Sequence, residues 1–312
     1  MTSRNQKINI GISSCLLGHK VRFDANHKEH RYITNEMSKR FDFIPTCPEM
    51  AIGLGVPRTP IHLVGDENKQ RAVNVKNESI DVTEPLVEFG KKKAKELSRI
   101  SGYIFKKGSP SCGLYNVKIY KTSQNVIYSG RGLYAQQITE ANPLLPVEEE
   151  GRLNDMQLRA NFLQRVEVYH DWQMLTASGL SKKALIKFHT QHKFLVLAHC
   201  ESNYRKMGKL IGEIGNENLY QAADHYIELL MTGLQKPTSR GKQTNVLQHL
   251  LGFFKRNLDS QDKTEISRLL EDYRDGQLPR VVLVTMLKHY LRKFPSTYVE
   301  QQSYLNFCYS DI

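Results

Sequence analysis

Asn142-Pro143-Leu144-Leu145-Pro146-Val147-Glu148-Glu149-Glu150-Gly151 separates two stretches of sequence with different apolar periodicity, and that change limits the folds open to the chain. Ahead of it, Lys7-Ile8-Asn9-Ile10-Gly11-Ile12 alternates with period two, as a strand does. Thr83-Glu84-Pro85 is a helix start with an early proline, and the helix-forming run 86–97 behind it is stopped by Ser101-Gly102. Tyr103-Ile104-Phe105 reads as the next strand. Alternating helix and strand predict an α/β domain with a mainly parallel sheet. From Leu153 onward the spacing is helical, as in Ala184, Leu185 and Phe188, or Val246, Leu247, Leu250 and Leu251, or Met286, Leu287, Tyr290 and Leu291. The second half is therefore predicted to be all-α. At about 150 residues per domain, 312 residues suit two domains, 1–150 and 151–312.

Hydrophobic residues are 40% of the chain, enough for a core in each half, and no run approaches the roughly 18 apolar residues of a membrane span. The polar N-terminus, residues 1–7, lacks the apolar segment and cleavage site of a signal peptide, so a cytoplasmic location is expected. The net charge is +12, and 22 basic against 16 acidic residues up to position 150 leave +6 in each half. A polyanion footprint would then span both domains; a solvated surface accounts for the same charge.

Of five cysteines, Cys15, Cys47 and Cys112 lie in the first half, while Cys200 and Cys308 stand alone in the second. An odd number in a reducing compartment argues against a disulfide framework. Each of the first three follows a short apolar run and sits in a turn-rich segment: Ser13-Ser14-Cys15, Pro45-Thr46-Cys47-Pro48 and Ser109-Pro110-Ser111-Cys112-Gly113. Loops at the carboxyl ends of parallel strands gather on one edge, where ligands bind, so thiols 32 and 65 residues apart can meet there. Three converging thiolates suit an iron–sulfur cluster or zinc, and the lack of a fourth leaves an open position for a substrate. With no Cys-x-x-Cys pair, three unrelated buried thiols fit the spacing as well.

Cys15-Leu16-Leu17-Gly18 followed by Val21-Arg22-Phe23-Asp24, Cys47-Pro48-Glu49 with Gly53-Leu54-Gly55-Val56-Pro57-Arg58, and Ser109-Pro110-Ser111-Cys112-Gly113 occur in that order. Together they resemble the motifs of the thiouracil desulfurase, or desulfidase, family, with Phe23 at an expected Tyr and Ala25 at an expected Gly. The second half resembles the helical domain fused to a subset of that family, through His192-Lys193-Phe194-Leu195 to His199, Tyr204-Arg205, Lys236-Pro237-Thr238, Thr244-Asn245-Val246-Leu247-Gln248-His249, Lys288-His289-Tyr290 and Gln301-Gln302-Ser303-Tyr304-Leu305. The resemblance implies a [4Fe-4S] cluster held by Cys15, Cys47 and Cys112 with one iron open. For fused members it implies conversion of 4-thiouridine in tRNA to uridine, with release of sulfide.

An open iron would polarise the thiocarbonyl of a thiolated pyrimidine, and a base must then activate water. Glu49, two residues after a ligand, is the expected base; a helix-capping carboxylate is the bland alternative. Ser109 is ranked above Ser111 for holding the leaving sulfur or donating to the ring, although either suits a turn. No net redox change is required, and no flavin or nicotinamide motif is found. Arg22 and Asp24 are candidate substrate contacts or a structural ion pair, and Arg58 is a candidate phosphate contact in a Gly/Pro-rich loop. His192 and His199 read as core or surface histidines rather than metal ligands. Lys236, Arg240, Lys242, Lys255 and Arg256 form the best candidate for a tRNA-backbone patch, with a solvated helix face as the alternative. Three readings follow: a desulfidase of 4-thiouridine in tRNA, a desulfidase of free thiouracil with a structural helical domain, and a zinc-stabilised RNA-binding protein without catalysis.

Overall fold

The computed structural model describes residues 7–66, 69–122, 125–215 and 218–306. The N-terminal residues 1–6 and Cys308, both read above, lie outside them. The chain divides into two compact units, Met1–Asp155 with Val166–Gln173, and Met156–Arg165 with Met174–Ile312.

In chain order the first unit contains β1 (Ile8–Ser13), α1 (Arg31–Asn35), β2 (Phe41–Thr46), α2 (Pro48–Ala51), β3 (Ile61–Gly65), β4 (Gln70–Asn74), α3 (Thr83–Glu96), β5 (Gly102–Phe105), β6 (Val117–Thr122), β7 (Asn125–Gly130), α4 (Leu133–Ala141) and β8 (Val147–Glu149). Strands β2-β1-β5-β8 form one wholly parallel sheet in that order. Ile8, Ile10 and Ile12 of β1 are buried, as the period-two pattern requires. Gly11 stands opposite Tyr103 in the register, and a Cβ there would meet the Tyr103 ring at 2.3 Å, so β1 and β5 pair only with glycine at that point. Pro45, which has no N–H for a ladder, sits on β2 at the sheet's edge.

Two features depart from the sequence reading. A second sheet, β4-β3-β6-β7, is largely antiparallel, with only β3 and β6 parallel. The double-proline, acidic segment, which reads as a break in the pattern, instead supplies β8, the fourth strand of the parallel sheet, and Glu148 and Glu149 are buried there. Glu149 Oε1 accepts the backbone N–H groups of Leu114 at 2.9 Å and Tyr115 at 3.1 Å. Arg152 donates to Glu148 at 2.7 Å. Buried carboxylates are tolerated because each has such donors.

The second unit is built from helices: part of α5 (Met156–Ala177), then α6 (Lys182–His199), α7 (Glu201–Glu213), α8 (Leu219–Leu234), α9 (Arg240–Gly252), α10 (Ser260–Arg274), α11 (Arg280–Lys293) and α12 (Thr297–Glu300), with no strand among its described residues. The sequence starts these helices with side-chain caps. Ser181, Ser239, Asp259 and Ser296 each accept the N–H of the residue three further on. The apolar stripes close the core, with Leu185, Tyr226, Leu230, Leu247, Leu250 and Leu287 fully buried. Among the described residues, no helix is long and apolar enough to cross a membrane.

Candidate active site

Parallel β1, β2 and β5 each deliver one cysteine from their carboxyl ends. Cys15 lies in the tight 3₁₀ turn Ser14–Leu17 that follows β1 and is closed by Gly18 at φ 89°. Cys47 follows β2 and precedes α2, whose first residue is Pro48. Cys112 sits in the loop behind β5. All three line one cavity of about 450 Å³ within the first unit, together with Glu49, Arg58, Ser109, Arg22 and Lys106.

Burial pushes the Cys15 thiol up to about 11, partly offset by the nearby Lys106 and Arg22. Burial also raises Cys47, and drives Cys112 well above the ordinary thiol value. Without a compensating cation the three are therefore neutral thiols near neutral pH, and a positively charged group is what would make thiolates of them. Among the described residues, no three His, Cys, Asp or Glu side chains gather closely enough to share a single metal ion. Three thiols lining one cavity are a donor set suited to a group several atoms across.

Glu49 stands beside this space in the first turn of α2. Arg58 donates from Nε and Nη2 to Glu49 Oε2 at 3.0 and 2.8 Å, and Ser111 Oγ donates to Glu49 Oε1 at 2.9 Å. Arg58 further donates to the carbonyls of Gly55 at 2.6 Å and Val21 at 3.0 Å. Its side chain is 7% exposed. Every nitrogen of Arg58, read from the sequence as a candidate phosphate contact, is thus engaged within the protein, and the guanidinium fixes Glu49. The two serines separate as well. Ser111 is fully buried against Glu49, whereas Ser109 lines the cavity and its Oγ accepts the N–H groups of Ser111 at 3.2 Å and Cys112 at 3.1 Å. Because those bonds use only lone pairs, the Ser109 hydroxyl proton remains available to the cavity. Arg22 lines the cavity too, while Asp24 does not; the pair is 3.5 Å apart, and Asp24 also accepts the N–H of Asn26.

Residues 10–150 match the family model of 2-thiouracil desulfurase, a span that takes in all three cavity cysteines, Glu49, Arg58 and Ser109. The chain belongs to the 2-thiouracil desulfurase family, with a DUF1722 region appended. That appended region, residues 193–308, matches the model described as a protein of unknown function. Among curated proteins, the uncharacterized protein YbgA of Escherichia coli (strain K12) is 30% identical over 143 residues, which is 46% of this chain and 85% of YbgA. A solved structure of the [4Fe-4S]-dependent thiouracil desulfidase TudS is 26% identical, with a TM-score of 0.38, covering 48% of this chain and 95% of that one.

In this desulfurase-family unit, residues beyond the three motifs hold the Cys112 loop, and sequence reasoning missed them. Lys106 Nζ pairs with the Glu150 carboxylate, which also accepts the N–H of Lys107 at 2.7 Å. With the Glu149 contacts described above, the acidic run clamps both ends of the loop. The readable signal was a Lys-Lys pair before Cys112 matched by three glutamates after it. Gly132 fits the same loop closely: a Cβ there would lie 2.5 Å from the Ser111 carbonyl carbon and oxygen and 2.9 Å from the Cys112 nitrogen. Backbone cannot yield as a flexible side chain does. Gly132→Ala is expected to lower stability by about 1–3 kcal/mol, read as a drop of several degrees in Tm. An unchanged Tm would show that the loop does not pack here.

The basic residues of the helical unit lie in two groups. Lys236, Arg240 and Lys242 lie around the start of α9, while Lys255 and Arg256 follow its end, roughly 20 Å away at 1.5 Å per residue. Lys242 Nζ donates to the His199 carbonyl at 2.7 Å, holding the end of α6. His192 and His199 are both buried. His199 Nδ1 donates to the Lys236 carbonyl at 2.6 Å, and its Nε2 lies 2.8 Å from the Gln164 carboxamide.

Proposed function

We propose that this chain is an iron–sulfur desulfidase acting on 4-thiouridine in tRNA, replacing the thiocarbonyl sulfur by oxygen from water and releasing sulfide. The observation that carries the reading is the meeting, in one cavity, of three thiols from adjacent strand ends with a carboxylate fixed by Arg58 and Ser111. Cys15, Cys47 and Cys112 would hold the cluster, which when bound supplies a Lewis-acidic iron to polarise the C=S bond.

The protein's own groups supply the rest. Arg58 neutralises Glu49 and sets the plane of its carboxylate, so that the second lone pair of Oε1 is directed while Ser111 occupies the first. Glu49 takes a proton from water as oxygen adds to the ring carbon. Ser109 donates to the pyrimidine or its departing sulfur. Breaking the C–S bond after water adds leaves a carbonyl and hydrogen sulfide, with no electrons gained or lost. Cys15, Cys112 and the Arg58 side chain are buried, so the charges they carry or pair with are little screened by solvent.

The excess of basic over acidic residues in both halves supports an RNA substrate. The family's description favours free thiouracil as the second reading. Anaerobically reconstituted protein, given bulk tRNA containing 4-thiouridine and, separately, free 4-thiouracil, distinguishes them. The expected result is loss of near-ultraviolet absorbance from tRNA with sulfide release, at a rate that falls tenfold or more as salt rises from about 50 to 200 mM. Turnover of the free base alone, insensitive to salt, would replace this reading with the second. A colourless protein that turns over neither would revive a zinc-bearing binding module.

A further inference from the structure

The helical unit contains a second cavity, of about 240 Å³, that none of this chemistry uses. Arg240 and Arg280 both line it, and each is the first residue of its helix, α9 and α11. Two guanidinium groups from the first turns of two helices therefore line the same space, and no aspartate or glutamate lines it. Arg280 lies over the Tyr304 ring, 5.3 Å from its centroid, which presents its fork in a fixed orientation. Arg240 is exposed and forms no ion pair among the described residues. Burial brings His199, on the cavity wall, down to about 4, so the imidazole is neutral and the positive charge belongs to the arginines.

The remaining lining is suited to a heterocycle. Gln164 and Gln243 present carboxamides, and Gln243 Oε1 accepts the Tyr273 hydroxyl at 3.1 Å, a bond that does not use its amide nitrogen. Glutamine side chains pair with base edges in this donor–acceptor manner. Leu195, Ala198 and Pro237 offer apolar surface for the face of a ring. The volume lies below the range of drug-sized sites, which suits one small ligand.

We infer that this cavity binds a single nucleotide, with its phosphate between Arg240 and Arg280 and its base against the glutamines. The inference rests on this cavity alone and is read by binding, not by turnover, so it stands or falls separately from the desulfidase reading. Calorimetric titration of the full chain with UMP, uridine and inorganic phosphate tests it. UMP is expected to saturate, with uridine and phosphate each at least about tenfold weaker, since either lacks half of the contacts. Arg240→Glu is expected to weaken UMP at least about tenfold without lowering Tm, because a carboxylate suits a helix N-terminus. Arg280→Gln should weaken it similarly. No saturation by any nucleoside monophosphate would overturn the assignment, as would phosphate binding as tightly as UMP or unchanged affinity in both variants. A short single-stranded RNA that competes with UMP identifies the nucleotide's source as RNA; one that does not identifies the free nucleotide.

Discussion

Glu49→Gln is expected to slow desulfurisation by about 10²–10⁴-fold while the protein stays folded with its thiols in place. The amide is nearly the shape of the carboxylate, and its oxygen can still accept from Ser111 or Arg58. What is lost is the ability to take a proton from water. Arg58, 7% exposed, also loses the charge opposite it, so a fall in stability of a few kcal/mol accompanies the change and is followed by thermal melting. Ser111→Ala separates the two effects. It removes one hydrogen bond to Glu49 but leaves the carboxylate paired with Arg58, and a loss of about tenfold or less is expected. Single-turnover rates measured with saturating substrate give both numbers. Activity in Glu49→Gln within a few fold of the parent would remove Glu49 as the base and leave it a structural ion pair.

Local pattern reveals some of this arrangement and conceals the rest, for reasons visible in individual residues. Cys15, Cys47 and Cys112 could be placed at strand ends because each follows a run whose burial is written in its own composition. The second sheet was hidden because its buried positions are adjacent instead of alternate. In β4, Ala72 and Val73 are buried while Gln70, Arg71 and Asn74 are not, so no alternating stretch is long enough to register. Strand β8 was hidden by its glutamates, which taken alone suggest a solvated break. Their burial depends on the N–H groups of Leu114 and Tyr115, more than thirty residues away. Arg58 misled for the same reason. Its loop looks solvated, and the carbonyl of Val21, brought beside it by the fold, joins the Gly55 carbonyl and the carboxylate of Glu49 in satisfying a buried guanidinium. Ser111 outranks Ser109 as Glu49's partner because residue 111 turns inward, a fact of the loop's path that no spacing encodes.

Cys112→Ala is expected to abolish turnover to background and to remove iron, acid-labile sulfide and visible absorption from the reconstituted protein. Cys200→Ala, which changes a thiol that does not line the cavity, should leave all of these unchanged. The contrast follows from the donor set. The cavity offers three thiols, and its carboxylate is already held by Arg58 and Ser111, so no spare ligand stands ready when one sulfur is lost. Removing Cys112 from the metal-free protein is a small change to the fold. The thiol is 6% exposed and packs as a compact apolar group, so truncation to alanine should cost about 1 kcal/mol. A variant that melts near the parent when metal-free yet fails to load iron would locate the defect in ligation. One that loads iron normally but has lost turnover would give Cys112 a role in the reaction and not in holding the cluster. Retention of both iron and turnover would return the three cysteines to the status of buried apolar side chains.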